Sequence, residues 1–422
     1  MLPGGTGPYS GVFPDSLVRP DRNNFAPRIG IAWRVKQKTV VRAGYGINYN
    51  LAQYGIFIRN FAFQPPFAET ATNVSPYGNF LTLENGFPSN SQTAVTNNYA
   101  LNPNYRLGYV QIWNLDIQRQ LPWNMQLNIG YNGAKGTGLD TERALVPSCI
   151  AAGTCADSST AASAPYIFES SEGSSSLNAA SVRIRKRMSK GIGVSASYVF
   201  SKSLDDASSI GGGSSVVMQN PFDLPAERGL SSFDQTHRFT GNWIYDLPFG
   251  DGRRFLTKGA LSHIVGGWQW SGDFTIASGL YFTPRVLGAT VDITRGVSGS
   301  QRANVVAGQS ISLGNPTTAE WFNTAAFCAP GPGCVSPSGG TTYGDAGRNI
   351  IEGPAQFTFD MALNKTITIK ETRSLELRLQ ATNIFNTAYF SGLNTTVNSL
   401  QFGEITGVAS MRRMTMVARF RF

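Results

Sequence analysis

The sequence predicts an all-β protein whose strands form an antiparallel transmembrane barrel. One observation is an alternation of apolar with polar residues, clearest at the C-terminus, where Thr415, Val417, Arg419 and Arg421 separate Met414, Met416, Ala418, Phe420 and Phe422, and Val417 is the one apolar exception. A period of two is that of a pleated strand with unlike faces. Another is that short polar turns alternate with long loops rich in Gly, Ser and Asn. The chain also lacks the run of about 20 apolar residues that a transmembrane helix needs.

About eleven segments show this alternation, each of roughly 9–14 residues, which is enough for a tilted strand to cross a bilayer. The predicted strands cover approximately residues 25–35, 39–50, 107–119, 123–133, 177–188, 191–201, 235–247, 262–277, 355–369, 372–385 and 406–422. Helical periodicity is weak throughout. Because single-chain bacterial barrels have an even number of strands, we expect residues 1–422 to form the C-terminal part of a larger barrel.

The connections predict which side of the membrane each strand end faces. Short turns are predicted at 34–38, 120–123, 187–190 and 370–373. Long loops are predicted at 51–106, 134–176, 202–234, 278–354 and 386–405. Outer-membrane barrels place short turns in the periplasm and long loops outside, and such long loops are unusual in compact soluble domains. The segment 248–261 is an exception, because it is long for a periplasmic turn.

Composition narrows the function classes. Charged residues make up only 14% of the chain, against about 25% in ordinary soluble domains, and 46 residues are Gly. The net charge of +9 raises the alternative of nucleic-acid binding, but the basic residues are spread over strands and turns. Three arginines form a stripe at positions 183, 185 and 187, which is either a solvated face or an electropositive pore wall. The residues that we expect to face the lumen are Arg28, Arg42, Arg183, Arg185, Arg187, Arg238, Asp273, Glu376 and Arg378.

The four cysteines form two local pairs, Cys149 with Cys155 and Cys328 with Cys334, both within predicted long loops. This arrangement predicts two loop disulfides in an oxidising compartment. A zinc site needs tighter spacing and a nearby His, whereas the chain has only His237 and His263, far apart. We therefore predict no metal site and no cofactor.

Two polar groupings offer the side chains of a reaction site or an ion site. Asp234 and His237 stand close enough in sequence for an acid–base pair, but no nucleophile signature accompanies them, so we predict that the protein is not an enzyme. A second grouping offers carboxylate oxygens of the kind that bind calcium, although its spacing is not that of an EF-hand loop. Its members are Asp205, Asp206, Asp223 and Glu227.

Aromatic residues lie on the apolar faces of the predicted strands, many near strand ends. They are Trp33, Tyr49, Trp113, Tyr131, Trp243, Tyr245, Trp268 and Trp270. Bilayer interfaces favour Trp and Tyr at such places. The alternative is the core of a soluble β-sandwich, whose strands run shorter, about 5–6 residues.

Several segments together resemble the Oar-like TonB-dependent receptors of Acidobacteria. They are Asn24–Gly30 (NFAPRIG), Val41–Gly46 (VRAGYG), Gln111–Leu115 (QIWNL), Gln118–Pro122 (QRQLP), Tyr131–Thr137 (YNGAKGT), Phe233–Phe239 (FDQTHRF), Leu247–Gly250 (LPFG), Ala381–Asn386 (ATNIFN) and Phe402–Thr406 (FGEIT). The resemblance implies a barrel of about 22 strands around an N-terminal plug on which an energy-coupling complex pulls through TonB. It also implies that Phe420 and Phe422 belong to the signal read by the barrel-assembly machinery, with Val417 where a Gly is usual.

The sequence shows no plug, TonB-contacting segment or signal peptide, and Met1–Gly5 has neither a basic start nor an apolar run. We expect a segment of an outer-membrane TonB-dependent receptor, forming lumen wall and external substrate-capturing loops. The alternative is a passive porin or surface adhesin without energy coupling. The expected partners are outer-membrane lipid, the barrel-assembly machinery, the TonB complex through the plug and an unidentified substrate, but no nucleic acid. Deleting loop 134–176 or loop 278–354 is expected to lower substrate capture and to leave assembly intact.

Overall fold

The structure is a computed structural model of the whole chain. It describes residues 18–64, 67–68, 82–84, 98–146, 165–207, 217–250, 252–293, 295, 297, 299–334, 342–370, 373–409 and 411–422, with two short strands, Thr6–Gly7 and Gly11–Val12. The prediction of a disulfide between Cys149 and Cys155 lies outside these residues.

Eleven strands form one antiparallel sheet in which each strand pairs with the strands before and after it in sequence. They are β1 (Arg28–Lys36), β2 (Thr39–Tyr49), β3 (Tyr109–Leu121), β4 (Met125–Leu145), β5 (Tyr166–Ser189), β6 (Ile192–Asp205), β7 (His237–Asp246), β8 (Trp268–Ala277), β9 (Gln356–Lys370), β10 (Arg373–Thr382) and β11 (Arg413–Arg421). The prediction of an all-β antiparallel fold is confirmed. Within the described residues β1 and β11 are not paired with each other, so the sheet is open at these two edges.

The register keeps apolar residues opposite apolar residues across the sheet, and this gives the sheet an apolar face and a polar face. One row crosses eight strands without a polar member: Val41, Ile117, Ile129, Val182, Tyr198, Phe239, Ile276 and Phe357. Because a slip of one residue would turn every one of these side chains to the other face, the alternation fixes the register. Six of these eight side chains are 39–47% exposed although they are apolar or aromatic, as expected of a surface that faces lipid.

Aromatic rings on the apolar face lie over glycines of the neighbouring strand. Trp113 is paired with Gly133, Phe274 with Gly241, and Trp243 with Gly272. A Cβ added to Gly133 would lie 2.2 Å from Cε2 of Trp113, and one added to Gly241 would lie 2.4 Å from Cε1 of Phe274. Absence of a side chain at these positions therefore lets the large rings lie flat along the sheet.

Replacing Gly133 by Val should displace the Trp113 ring and destabilise the β3–β4 pair by about 1–3 kcal/mol, the usual cost of overpacking. The measurement is the urea midpoint of the refolded protein, followed by the gel shift between folded and boiled forms. Gly30→Val is the matched control, because a Cβ at Gly30 meets only one atom, the Ala43 oxygen, at 4.0 Å. Equal midpoints for the two variants would contradict the expected role of the ring contact.

Two strands are much longer than predicted. The sequence indicated strands at 123–133 and 177–188 with a loop between them, whereas β4 continues to Leu145 and β5 begins at Tyr166. Beyond Thr137 and Ser174 these strands pair with each other as a two-stranded ribbon at the long-loop end of the sheet. The prediction of a loop over 134–176 was wrong there, because side chains outside lipid no longer need to alternate by polarity.

Two further strand boundaries differ from prediction, and two helices were not predicted. The predicted strand 262–277 starts with a helix, α2 (Ala260–Val265), and β8 begins only at Trp268. The predicted strand 406–422 is split, because Ile405–Val408 pairs with Phe390–Leu393 before β11 begins. The weak helical signal missed α1 (Gln53–Ala62) and the single turn α3 (Thr290–Ile293). No helix in the described part of the chain has the length and apolar character needed to span a membrane.

Short elements fill the long connections. Asn98–Leu101 pairs in parallel with β5, and Gly229–Leu230 extends the edge of β6. Tyr281–Phe282 pairs with Ile351–Glu352, and Asn304–Val305 with Phe327–Cys328. Single 3₁₀ turns occur at Pro225–Glu227 and Thr324–Ala326.

Candidate functional site

All nine residues predicted to face a lumen lie on the polar face. Register connects them: Arg42 pairs with Asp116, and the row from Arg185 passes through Ser195 and Asn242 to Asp273. The other six follow the same alternation and fall on that face as well; they are at positions 28, 183, 187, 238, 376 and 378. That this face borders a lumen remains a prediction.

Three arginines of β5 keep their charge unneutralised on this face. Arg183 and Arg185 pair with Asn128 and Gln126 on one side and with Ser197 and Ser195 on the other, all of them neutral. Among the described residues, the ion pairs involve other arginines. The stripe therefore presents a local positive field to whatever occupies the space beside it.

Asp273 and Arg378, two of the residues predicted to face the lumen, line one polar hollow formed by strands β7 to β10. Asp273 lies directly opposite Asp360 on β9, and Arg378 lines the same cavity, which has a volume of about 260 Å³. Asp360 accepts a hydrogen bond from the backbone N–H of Asn383 at 2.7 Å. Opposed carboxylates destabilise a sheet unless something positive compensates them, so this hollow favours cationic or hydrogen-bond-donating groups.

The long connections after β8 and β10 fold together into what we call the loop module, the described residues within 278–355 and 383–412. Its buried core consists of Ala303, Phe322, Ala326, Phe327, Ala346, Ile351 and Leu393. Phe322 stacks edge-to-face on Phe327 and on Phe402, with ring centroids 5.8 and 5.2 Å apart. A disulfide joins Cys328 to Cys334, whose Cα atoms are 6.0 Å apart. These connections are therefore a packed structure at the long-loop end of the sheet.

Buried ion pairs join the loop module to the connection after β6. Arg302 Nη1 donates to Glu227 Oε2 at 2.8 Å, and both side chains are almost completely buried. Arg348 donates to Asp205 Oδ1 at 3.0 Å and to the Glu227 carbonyl oxygen at 2.8 Å. Burial, reinforced by Arg348, lowers the pKa of Arg302, while Glu227 opposes that shift. Such pairs hold the two segments in one arrangement, since separating either partner would strand a buried charge.

The carboxylates weighed as calcium ligands are used in other ways. Asp205 and Glu227 are paired with arginines, as described. Asp206 accepts from Arg228 at 3.1 Å and from the backbone N–H of Ser174 at 2.7 Å. Asp223 accepts from the N–H of Ala226 at 3.2 Å. Among the described residues no cluster of His, Cys, Asp or Glu is arranged to hold a metal ion.

A second packed region covers the β4–β5 ribbon. Helix α1 and the strand Asn98–Leu101 enclose Glu169 of β5, whose side chain is fully buried. Tyr99 Oη and Gln53 Nε2 both donate to its carboxylate. Burial raises the pKa of Glu169 to about 7, and the neighbouring carboxylates of Asp140 and Glu142 add to the rise, whereas the donated hydrogen bonds oppose it.

Asp234 and His237 do not form an acid–base pair with each other. Asp234 accepts from the backbone N–H of Ser203 at 2.6 Å and from the Thr236 hydroxyl at 3.3 Å. The His237 ring lies on the apolar face, where Nδ1 is 2.8 Å from the Tyr198 hydroxyl. Asp234 therefore organises the start of β7, and His237 belongs to the aromatic surface.

The family comparison is decisive for the class of protein, because one model matches nearly the whole chain. It is described as an outer membrane beta barrel domain, and it matches residues 2–415. The chain belongs to this family. It is accordingly a protein of the bacterial outer membrane, as predicted, and the apolar face of its sheet is the surface suited to lipid.

Solved structures with a similar fold are outer-membrane transporters and receptors. The outer membrane transporter YddB from Escherichia coli has a TM-score of 0.50 and 12% identity over 93% of this chain. The siderophore receptor PirA from Acinetobacter baumannii has a TM-score of 0.47 and 10% identity over 94% of the chain. The chain spans only 40% and 41% of those two proteins. Among curated proteins none matches in sequence.

Sequence reasoning missed the residues that organise the long-loop end. Arg302, Arg348 and Glu169 are buried charged residues in segments predicted to be long loops. Their partners lie far away in sequence, 75 residues for Arg302 and Glu227, and 143 for Arg348 and Asp205. No local pattern marks such pairs.

Proposed function

We propose that the chain forms lumen wall and external substrate-capturing loops of an Oar-like TonB-dependent receptor, which takes up its substrate with energy from the inner membrane. The observation that carries the proposal is the combination of an eleven-strand barrel segment with a loop module folded over its external end. A passive pore has no need of a packed, disulfide-linked structure above its wall. The arginines of the polar face and the Asp273–Asp360 hollow are the proposed substrate contacts inside the wall.

The external structures must be altered with care. Residues 134–145 and 166–176 are parts of β4 and β5, and 278–354 contributes most of the loop-module core. Deleting either segment would remove strand pairs or expose that core. We therefore no longer expect assembly to stay intact after these deletions. Substitutions at exposed positions of the same segments are the better probe of substrate capture.

Energy coupling is tested on the whole protein encoded by the reading frame that contains this chain. In planar bilayers the receptor should conduct little until urea releases the plug, and it should bind the periplasmic domain of TonB. The matched control is the same protein with the sequence upstream of residue 1 removed, which should not bind TonB. Stable conductance without urea, and no TonB binding, would instead support the alternative of a passive porin or adhesin.

Assembly is proposed to depend on the C-terminal aromatics. Phe420 and Phe422 lie on the apolar face with ring centroids 6.3 Å apart, and Phe422 is almost fully exposed. Their exposure at the last strand leaves them accessible to the barrel-assembly machinery.

A further inference from the structure

The long turn between β7 and β8 has no role in the proposed uptake, and its packing is unusual. It covers residues 247–267 at the short-turn end and contains helix α2. The backbones of Gly250 and Gly266 approach so closely that a Cβ on Gly250 would lie 2.6 Å from the Gly266 Cα. Phe255 N–H donates to the Pro248 oxygen, and Gly250 N–H to the Phe255 oxygen, both at 3.0 Å. The turn is thus an ordered structure.

Helix α2 lies alongside the apolar face of the sheet. Lys365 projects from that face, because it alternates with Leu363 and Ile367 and pairs with Trp268 and Leu377. Its Nζ donates to the carbonyl oxygens of His263 and Ile264, at 2.6 and 2.7 Å. Lys365 pairs with Trp268 and stands five residues before the end of β9 at Lys370, so the helix lies beside this strand short of its end.

Two further contacts hold the helix against this face. Trp268 Nε1 donates to the Ile264 oxygen at 3.0 Å, and the Lys365 ammonium lies 5.4 Å from the centre of the Trp268 ring. Lys365 is only 6% exposed. A cation on a lipid-facing surface needs such partners, and the helix carbonyls supply them.

The outer side of the turn is apolar and basic. Leu261 and Ile264, three residues apart and thus on one side of the helix, are 61% and 64% exposed, and Phe255 and Leu256 are each 48% exposed. Arg253, Arg254 and Lys258 stand beside them in a segment whose one acidic residue before the helix is Asp251. Arg254 lies over the Phe255 ring at 5.3 Å from its centre.

We propose that this turn is an interfacial anchor that inserts Leu261 and Ile264 into the periplasmic leaflet of the outer membrane, with its basic residues on anionic phospholipid headgroups. The helix contacts Lys365 and Trp268 on the lipid-facing surface of β8 and β9 and leaves Leu261 and Ile264 exposed. The basic charges of the turn complement those of acidic phospholipids. Short amphipathic helices with basic flanks bind membrane surfaces in this way, and each Lys or Arg adds to the attraction.

The test places a nitroxide at position 261 (Leu261→Cys, with Cys149→Ser and Cys155→Ser) in protein assembled in outer membranes. Collision rates with oxygen, which concentrates in lipid, and with a water-soluble nickel chelate are measured by power saturation. Controls are Leu400→Cys in the loop module, which is fully exposed, and Ile129→Cys on the apolar face. We expect the oxygen collision rate at position 261 to resemble that at position 129. We expect the nickel collision rate at position 261 to be well below that at position 400.

Nickel collision at 261 equal to that at 400 would overturn the proposal, and so would exclusion of both reagents, which would mean that another protein covers the helix. The charge contribution is tested in vesicles of phosphatidylglycerol and phosphatidylcholine. Replacing Arg254 and Lys258 by Gln should lower the ratio of membrane-bound to free turn in the anionic vesicles by roughly fivefold per charge removed. Nickel access to position 261 should rise accordingly. An unchanged value would reject headgroup binding.

Discussion

Replacing Arg302 by Met should unfold the contact between the loop module and the segment after β6 while the eleven-strand sheet stays paired. The substitution leaves Glu227, which is 2% exposed, without its cation. Removing one partner of a buried ion pair costs about 3–5 kcal/mol, more than a surface packing contact supplies. Hydrogen exchange followed by mass spectrometry should therefore show faster exchange in residues 217–232 and 300–306, and unchanged exchange in β9 and β10.

The double variant Arg302→Met with Glu227→Met separates the stranded charge from the loss of packing. It should recover most of the protection, because two apolar side chains of similar volume often replace a buried ion pair with little loss. Arg419→Met is the control for losing an arginine, because the Arg419 side chain is exposed and its ion pair with Glu376 is long, at 3.9 Å. If the single and double variants exchanged equally fast, the stranded charge would not be the cause.

Raising the pH from about 4.5 to 7 should loosen helix α1 from the β4–β5 ribbon. The folded protein holds the Glu169 proton more tightly than the unfolded segment does, with a pKa of about 7. Its contribution to stability is therefore complete below the ordinary glutamate pKa and is lost as the pH rises through about 7. Above that range the buried carboxylate is charged beside Asp140 and Glu142. The measurement is hydrogen exchange of residues 53–62 across this pH range.

Glu169→Gln should abolish this pH dependence, because the amide stays neutral and still accepts the hydrogen bond from Tyr99. The variant should match the acid form of the parent protein at every pH. Glu172→Gln is a suitable control, since this carboxylate on the same strand is 42% exposed and paired with Arg143. A pH dependence that persisted in Glu169→Gln would assign the effect to another group, with Asp140 beside Tyr105 the first to test.

The membrane-facing part of the fold was predictable because lipid imposes a visible rule on the sequence. A strand such as β10 must present Leu375, Leu377 and Leu379 on one side and charged residues on the other, and its predicted and observed positions agree closely. All eleven strands of the sheet were found in this way. The prediction of the polar face rests on the same rule, so its residues fall together.

The long-loop end follows no such rule, and there the predictions fell short. The ribbon residues Ser170, Ser171 and Ser174 carry no alternation, although they are in strand β5. Helix α1 is stabilised by contacts of Phe57 with Tyr105 and of Phe61 with Tyr99, which are about 50 and about 40 residues away. Packing between distant segments decides these structures, and a local pattern cannot report it.

The count of strands limits what can complete the sheet. In an antiparallel series of eleven, the first and last strands run in the same direction, so β1 and β11 would meet in parallel if the sheet curled onto itself. A second copy inserted with the same orientation offers only edges of that same direction. A barrel that is antiparallel throughout therefore needs additional strands between β11 and β1, and their number must be odd. The first and last of these additional strands then run opposite to β11 and β1. Direction, more than shape, determines which partners these two edges accept.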